Sequence, residues 1–288
     1  MNNRIRQQPT HPTPEYITVT PEMALDWLTS NEANRPLRSY KVNDYIRDIE
    51  AGHWYHSNDG ICLSTDGTLL NGQHRLTAIL ESGLPAVLLV IRDMPLEAMI
   101  AMDRGTGRTT ADLLGFRGHK NNHSLGAVVK LIIIVESGRI YSDTRLQRAT
   151  DSEVEEFLAV NPLVEHIVSY VSSIKAHIDC SPSVLGLVYW LIQQANGTSL
   201  AEFYLDQLAT RENEPSGSAV LAVDSRLRSI RRDHARYPRR DLIHLLIRGW
   251  NHYATDHRVT TLAMNTRGEF NLPEVKKWNR GEIRAVSA

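Results

Sequence analysis

The spacing of apolar residues changes character once along this chain, and that change limits the fold more than any other feature. Up to about residue 115, short strand-like pieces are interleaved with stretches of helical spacing: Ile17-Thr18-Val19, Gly60 to Ser64, Thr68-Leu69-Leu70 and the continuous run Ala86 to Ile91. From about residue 121 onward the spacing is helical almost throughout. The pattern predicts an α+β protein, with a mixed N-terminal domain followed by a mostly α-helical C-terminal one. Its 288 residues are enough for two ordinary domains. Gly115-Phe116-Arg117-Gly118 is the natural junction, so we expect a loose tail over 1–16, a mixed domain over 17–118 and a helical domain over 119–288.

Local signals fill in the elements. Thr20 is placed to cap a helix with Pro21 in its first turn, and that helix runs through Met23, Ala24, Trp27 and Leu28. Val42, Tyr45, Ile46 and Ile49 predict a second helix that stops at Ala51-Gly52. Asp66-Gly67 joins two short strands into a hairpin. A helix through Leu76, Ile79 and Leu80 ends at Ser82-Gly83, and a short one is expected over Pro95 to Met102. In the second half, helices are expected over 124–137, 151–176, 182–195, 199–210, 217–235 and 239–254, with Thr150-Asp151-Ser152-Glu153 capping the second of these.

With 42% hydrophobic and 23% charged residues, the composition excludes a disordered or fibrous chain. A net charge of -1 provides no global attraction to nucleic acid, so any such affinity must come from a local basic face. Cys62 and Cys180 lie far apart, without the spacing of a structural zinc site, and are expected to be reduced thiols. Met1 to Pro14 is polar and lacks the apolar stretch of a signal peptide, and the longest apolar run, Ala127 to Val135, is interrupted by Lys130 and far shorter than a bilayer span. The expectation is a soluble cytoplasmic protein with no membrane partner.

The segment richest in chemistry is Asn71-Gly72-Gln73-His74-Arg75, where a strand enters a glycine and a helix leaves it. Glycine lets backbone amides approach an anion, and the start of the following helix carries partial positive charge. Arg75 adds a planar fork of donors suited to phosphate oxygens, and His74 a further donor. The alternative is an ordinary strand-to-helix turn with a solvated His-Arg pair.

A hairpin ending in glycine, then a polar residue, His-Arg, a helix and a strand resembles the phosphate loop of the ParB/sulfiredoxin superfamily, and the lead-in Arg47, Asp48, Ile49, Gly52 and Trp54 fits members with a Gly-Gln-His-Arg loop. The likeness covers roughly residues 17–115. It implies a ParB/sulfiredoxin-like nucleotide-binding domain that takes CTP or ATP with Mg2+ through Asn71, Gly72, Gln73, His74 and Arg75. Gln73 stands where sulfiredoxins carry their catalytic cysteine, which excludes sulfinic-acid reduction by that route. Asn71 stands where many relatives have an acid, and no helix-turn-helix of the chromosome-partitioning members is legible after residue 115.

A second polar loop runs from Asp103 to Asp112, where the resemblance places an acid and an arginine that complete the triphosphate and magnesium site. Asp103 is then the candidate metal ligand or base, Asp112 the next candidate base, and Arg108 a phosphate ligand. The rival reading is a capping turn in which Thr109 or Thr110 starts a helix through Asp112. Glu97 is expected at the surface. Further on, eight arginines face two acids between Arg226 and Arg248. Arg228, Arg231, Arg232, Arg239 and Arg240 are candidates for following nucleic-acid phosphates, or form the solvated side of helices whose inward face is Leu227, Ile230, Leu242, Leu245 and Ile247. Trp190, Trp250 and Tyr253 are expected in the core.

The function the resemblance implies is CTP or ATP binding, with or without hydrolysis, in a DNA-related process of a phage, plasmid or bacterium. A kinase acting on a small molecule or modified base is one alternative and a nuclease another. The partners expected are the nucleotide, DNA and a second copy of the chain.

Overall fold

A computed structural model describes residues 11–30, 36–95, 109–142, 147–264 and 271–280. Among them the protein is α+β, with eleven α-helices and a small four-stranded mixed sheet. The chain divides into two compact units, Met1–Gly107 and Arg108–Ala288. The division precedes the glycine pair at 115 and 118 because the helix Thr110–Phe116 packs on the helix after it and places Leu114 in the core of the helical unit.

In the first unit, β1 (Thr13–Val19) is followed by α1 (Pro21–Thr29), α2 (Ser39–Glu50), β2 (Ile61–Ser64), β3 (Leu69–Asn71), α3 (Gln73–Ser82) and β4 (Ala86–Met94). The sheet order is β1-β4-β2-β3, with β4 antiparallel to β1 and parallel to β2, and β2 antiparallel to β3. The expected caps form: Thr20 Oγ1 accepts from Met23 N at 3.3 Å with Pro21 at the helix start, and α3 ends on Gly83 in the left-handed region. Ala86, Leu88 and Val90 of β4 join Ile61, Leu63, Leu69, Leu76 and Ile79 in one core. Trp54 packs edge-on against Tyr45 of α2, and its indole N–H donates to Val87 O at 3.2 Å.

The second unit comprises α4 (Thr110–Phe116), α5 (Asn122–Glu136), a 3-10 turn (Arg139–Tyr141), α6 (Asp151–Val160), α7 (Leu163–Ile174), α8 (Pro182–Asn196), α9 (Thr198–Thr210), α10 (Ala219–Arg232) and α11 (Arg239–Ala254). The single helix expected over 151–176 is two, bent by 100° at Asn161-Pro162. A proline disfavours helical geometry in the residue before it, and Asn161 sits at φ -128°, ψ 61°. The Thr150–Glu153 capping box forms as the sequence suggests. Helix α8 is buried over most of its length, and Trp190, Trp250 and Tyr253 lie in the core. The extended segment 271–280 is tied down by Trp250 Nε1 donating to Lys276 O at 2.9 Å and by Trp278 N donating to Asn196 Oδ1 at 2.8 Å. Among the described residues, no single helix is long and apolar enough to cross a membrane. The expected helix over Pro95 to Met102 falls outside the described residues, apart from its first residue.

Candidate functional site

The turn from β3 into α3 is built around Gly72, which takes φ 107° and ψ 3°. A Cβ there would lie 2.3 Å from Ile61 Cδ1 and 3.3 Å from Ile61 Cα, so only a residue without a side chain lets this turn pass beside β2. Gly72 O accepts from Arg75 N at 3.0 Å and Leu76 N at 3.1 Å, which starts the helix. Asn71, at the end of β3, lies opposite Cys62 in the hairpin register. Gln73 is buried, and its carbonyl accepts from Thr77 Oγ1 at 2.8 Å.

Arg75, in the first turn of α3, is only 7% exposed. Its Nη2 donates to Gly60 O at 3.0 Å, whereas Nη1 is buried with no hydrogen-bond partner. No described carboxylate pairs with it; Asp59 acts only within the same electrostatic neighbourhood, on Tyr45 and Cys62. A buried guanidinium with one carbonyl contact is costly unless an anion completes it. His74 faces a different neighbour. Its Nε2 accepts from the backbone N–H of Arg38 at 3.0 Å and so buttresses the residue that precedes α2. No local pattern announces that acceptor role, because the two residues are thirty-six positions apart.

The chain matches no family model, no curated protein and no solved structure.

Asp103 and Arg108 lie outside the described residues. Asp112 belongs to the second unit and is occupied at the start of α4. Its Oδ2 accepts from Thr109 N at 2.8 Å and from Thr109 Oγ1 at 2.7 Å, while Asp112 N donates back to Thr109 Oγ1 at 3.2 Å. The capping turn considered from the sequence is thus present. Among the described residues, no group of three or more His, Cys, Asp or Glu side chains is placed to hold a metal ion. Of the arginines singled out, Arg228 pairs with Asp224 at 2.8 Å, Arg232 with Asp233 at 3.4 Å and Arg240 with Asp241 at 3.8 Å; Arg231 pairs with Asp179, and Arg239 is exposed.

Both cysteines are free. Burial pushes the Cys180 thiol up to about 12. Burial also raises Cys62, opposed by the nearby Arg75 charge. Since the thiolate is the nucleophile, and a raised pKa postpones its appearance to higher pH, neither should react readily near neutrality. In a disulfide-exchange labelling assay of the native protein at pH 7, Cys180 is expected to react at least about 100-fold more slowly than a free thiol of pKa ~8.5. Labelling of Cys180 at the free-thiol rate would contradict the burial described.

Proposed function

We propose that the first unit is a ParB/sulfiredoxin-like domain that binds a nucleoside triphosphate, CTP or ATP with magnesium, at the Gly72–Arg75 turn, and that the chain works in a DNA-related process. The observation that carries this reading is the buried, unpartnered Nη1 of Arg75 beside the glycine-led start of α3. A phosphate oxygen would supply the missing acceptor, and the partial positive charge of the helix start adds to the attraction. Gly72 contributes by having no side chain, which lets the turn pack against Ile61 of β2 and so fixes the start of α3. His74 holds the turn against α2 through Arg38 rather than donating from Nε2.

The test is a titration of the full chain with CTP and with ATP, each with and without Mg2+, followed by thermal melting, for the parent and for Arg75→Met. Ligand at 100 times its Kd is expected to stabilise the parent by about 2.7 kcal/mol. The variant should lose that gain. Without ligand it should be at least as stable as the parent, since exchanging an incompletely paired buried charge for an apolar chain is neutral or stabilising by roughly 1–4 kcal/mol. A variant that binds nucleotide as tightly as the parent, or a parent that binds neither nucleotide, removes the basis of the proposal.

A further inference from the structure

The helical unit carries a groove of about 530 Å³ between α10 and the segment Thr260–Ala263. Arg226, Arg228 and Arg232 of α10 line it. The acids within reach are already engaged. Asp224 is shared between Arg228 at 2.8 Å and Arg211 at 3.1 Å, and Asp233 takes Arg232 at 3.4 Å and the Ser229 hydroxyl at 2.9 Å. Among the described residues, the four guanidiniums of Arg211, Arg226, Arg228 and Arg232 therefore stand against the two carboxylates of Asp224 and Asp233. Arg226 is the one left over: it pairs with no described carboxylate, and its Nε is buried without a hydrogen-bond partner.

Hydroxyls complete the lining. Ser225 and Ser229 stand on the same helix as the arginines, and Thr260 and Thr261 lie on the facing wall, which Arg248 holds in place by donating to Ala263 O at 3.2 Å. Guanidiniums and hydroxyls at this density suit phosphate oxygens, which accept several charge-assisted hydrogen bonds at once. No aromatic ring is among the described residues that line the groove, so none of them offers a stacking platform for a base. Arg236 and Arg239, in the same arginine-rich stretch, are exposed and pair with no described carboxylate, which adds positive surface beyond what one small anion would use.

We infer that this groove binds the phosphates of a nucleic-acid backbone without reading the bases. It goes beyond the nucleotide reading of the first unit and does not depend on it, since it rests on different residues in a different unit. A repeated phosphate chain fits these further exposed arginines better than a free polyphosphate does, because a small anion would leave their charges unused.

The experiment uses the full chain with labelled single-stranded oligonucleotides of two unrelated sequences, read by fluorescence anisotropy between about 50 and 200 mM salt. Inorganic tripolyphosphate serves as competitor. The variants are Arg226→Gln/Arg232→Gln and, in case removing Arg226 disturbs the fold, Ser225→Glu, which puts a negative charge at an exposed position in the groove. The parent should bind both sequences within threefold of each other. Both variants should bind at least tenfold more weakly, and the double variant should lose about 1.4 from the slope of log K against log salt, at ~0.7 per phosphate contact. Absence of binding at low salt, parent-like affinity in both variants, or a more than tenfold sequence preference each overturns the inference. Tripolyphosphate competing as well per phosphate as the oligonucleotide overturns its nucleic-acid source. Nucleotide titration of the parent separates the two readings: a parent that binds nucleotide but no oligonucleotide defeats the groove alone, and one that binds oligonucleotide but no nucleotide defeats the Gly72–Arg75 reading alone.

Discussion

Gly72→Ala is expected to destabilise the first unit by roughly 2–5 kcal/mol, the sum of a left-handed backbone penalty and overpacking against a fixed neighbour. The residue sits at φ 107°, where L side chains are strained, and the added methyl would meet Ile61. Ile61 is fully buried, so its Cδ1 has little room to retreat, and its Cα, at 3.3 Å from the new atom, belongs to β2. Gly67→Ala is the internal control. It has φ 85° with nothing within 4 Å, so it should show the backbone penalty alone, about 1–2 kcal/mol. The difference between the two variants, measured by calorimetric unfolding, isolates the close approach of the turn to β2. Equal losses would mean that the turn has space for a side chain and that the Gly72 contact is not a constraint.

Trp250→Ala should cost the helical unit about 3–5 kcal/mol, the range for truncating a large buried aromatic. Trp250 is fully buried on α11, meets Tyr204 of α9 edge-on at 5.4 Å between centroids, and donates to Lys276 O at 2.9 Å. Its removal leaves a cavity and takes one of two donors from Lys276 O, which keeps only Asn196 Nδ2 at 3.1 Å. The segment 271–280 should suffer beyond the global loss, because its other ties, such as Lys276 N to Asn251 Oδ1 at 2.8 Å and Arg280 over the Tyr253 ring at 4.4 Å, depend on the same surface staying in register. Hydrogen exchange is the readout: amides of 271–280 should lose protection more than those of α8. Trp250→Phe keeps the ring but not the donor, and should lie between parent and Ala. If exchange in 271–280 is unaltered in the Ala variant, the indole is not what holds that segment.

The starts and stops of helices were legible because they are local chemistry. Thr20 reaches Met23, Thr150 reaches Glu153 and Thr109 reaches Asp112, all within one turn, so spacing in the sequence is spacing in space. The break between α6 and α7 was equally local, since Pro162 acts on Asn161 beside it, yet helical spacing on both sides concealed it. Gly72 as the pivot of a strand-to-helix turn could be read from its neighbours. That the turn passes beside Ile61 could not.

What the order of residues determined, then, was the mixed first part, the helical second part, the caps, and the presence of a Gly-Gln-His-Arg turn and an arginine-rich stretch. Tertiary structure decided what those side chains do. It set Arg75 against Gly60 with one nitrogen left over, gave His74 to Arg38, and chose which arginines were neutralised, pairing Arg231 with Asp179 across fifty-two positions while leaving Arg226 without a carboxylate. The reason is physical: propensity, capping and periodicity act over a few residues, whereas burial and charge pairing depend on which distant segments the packed core brings together.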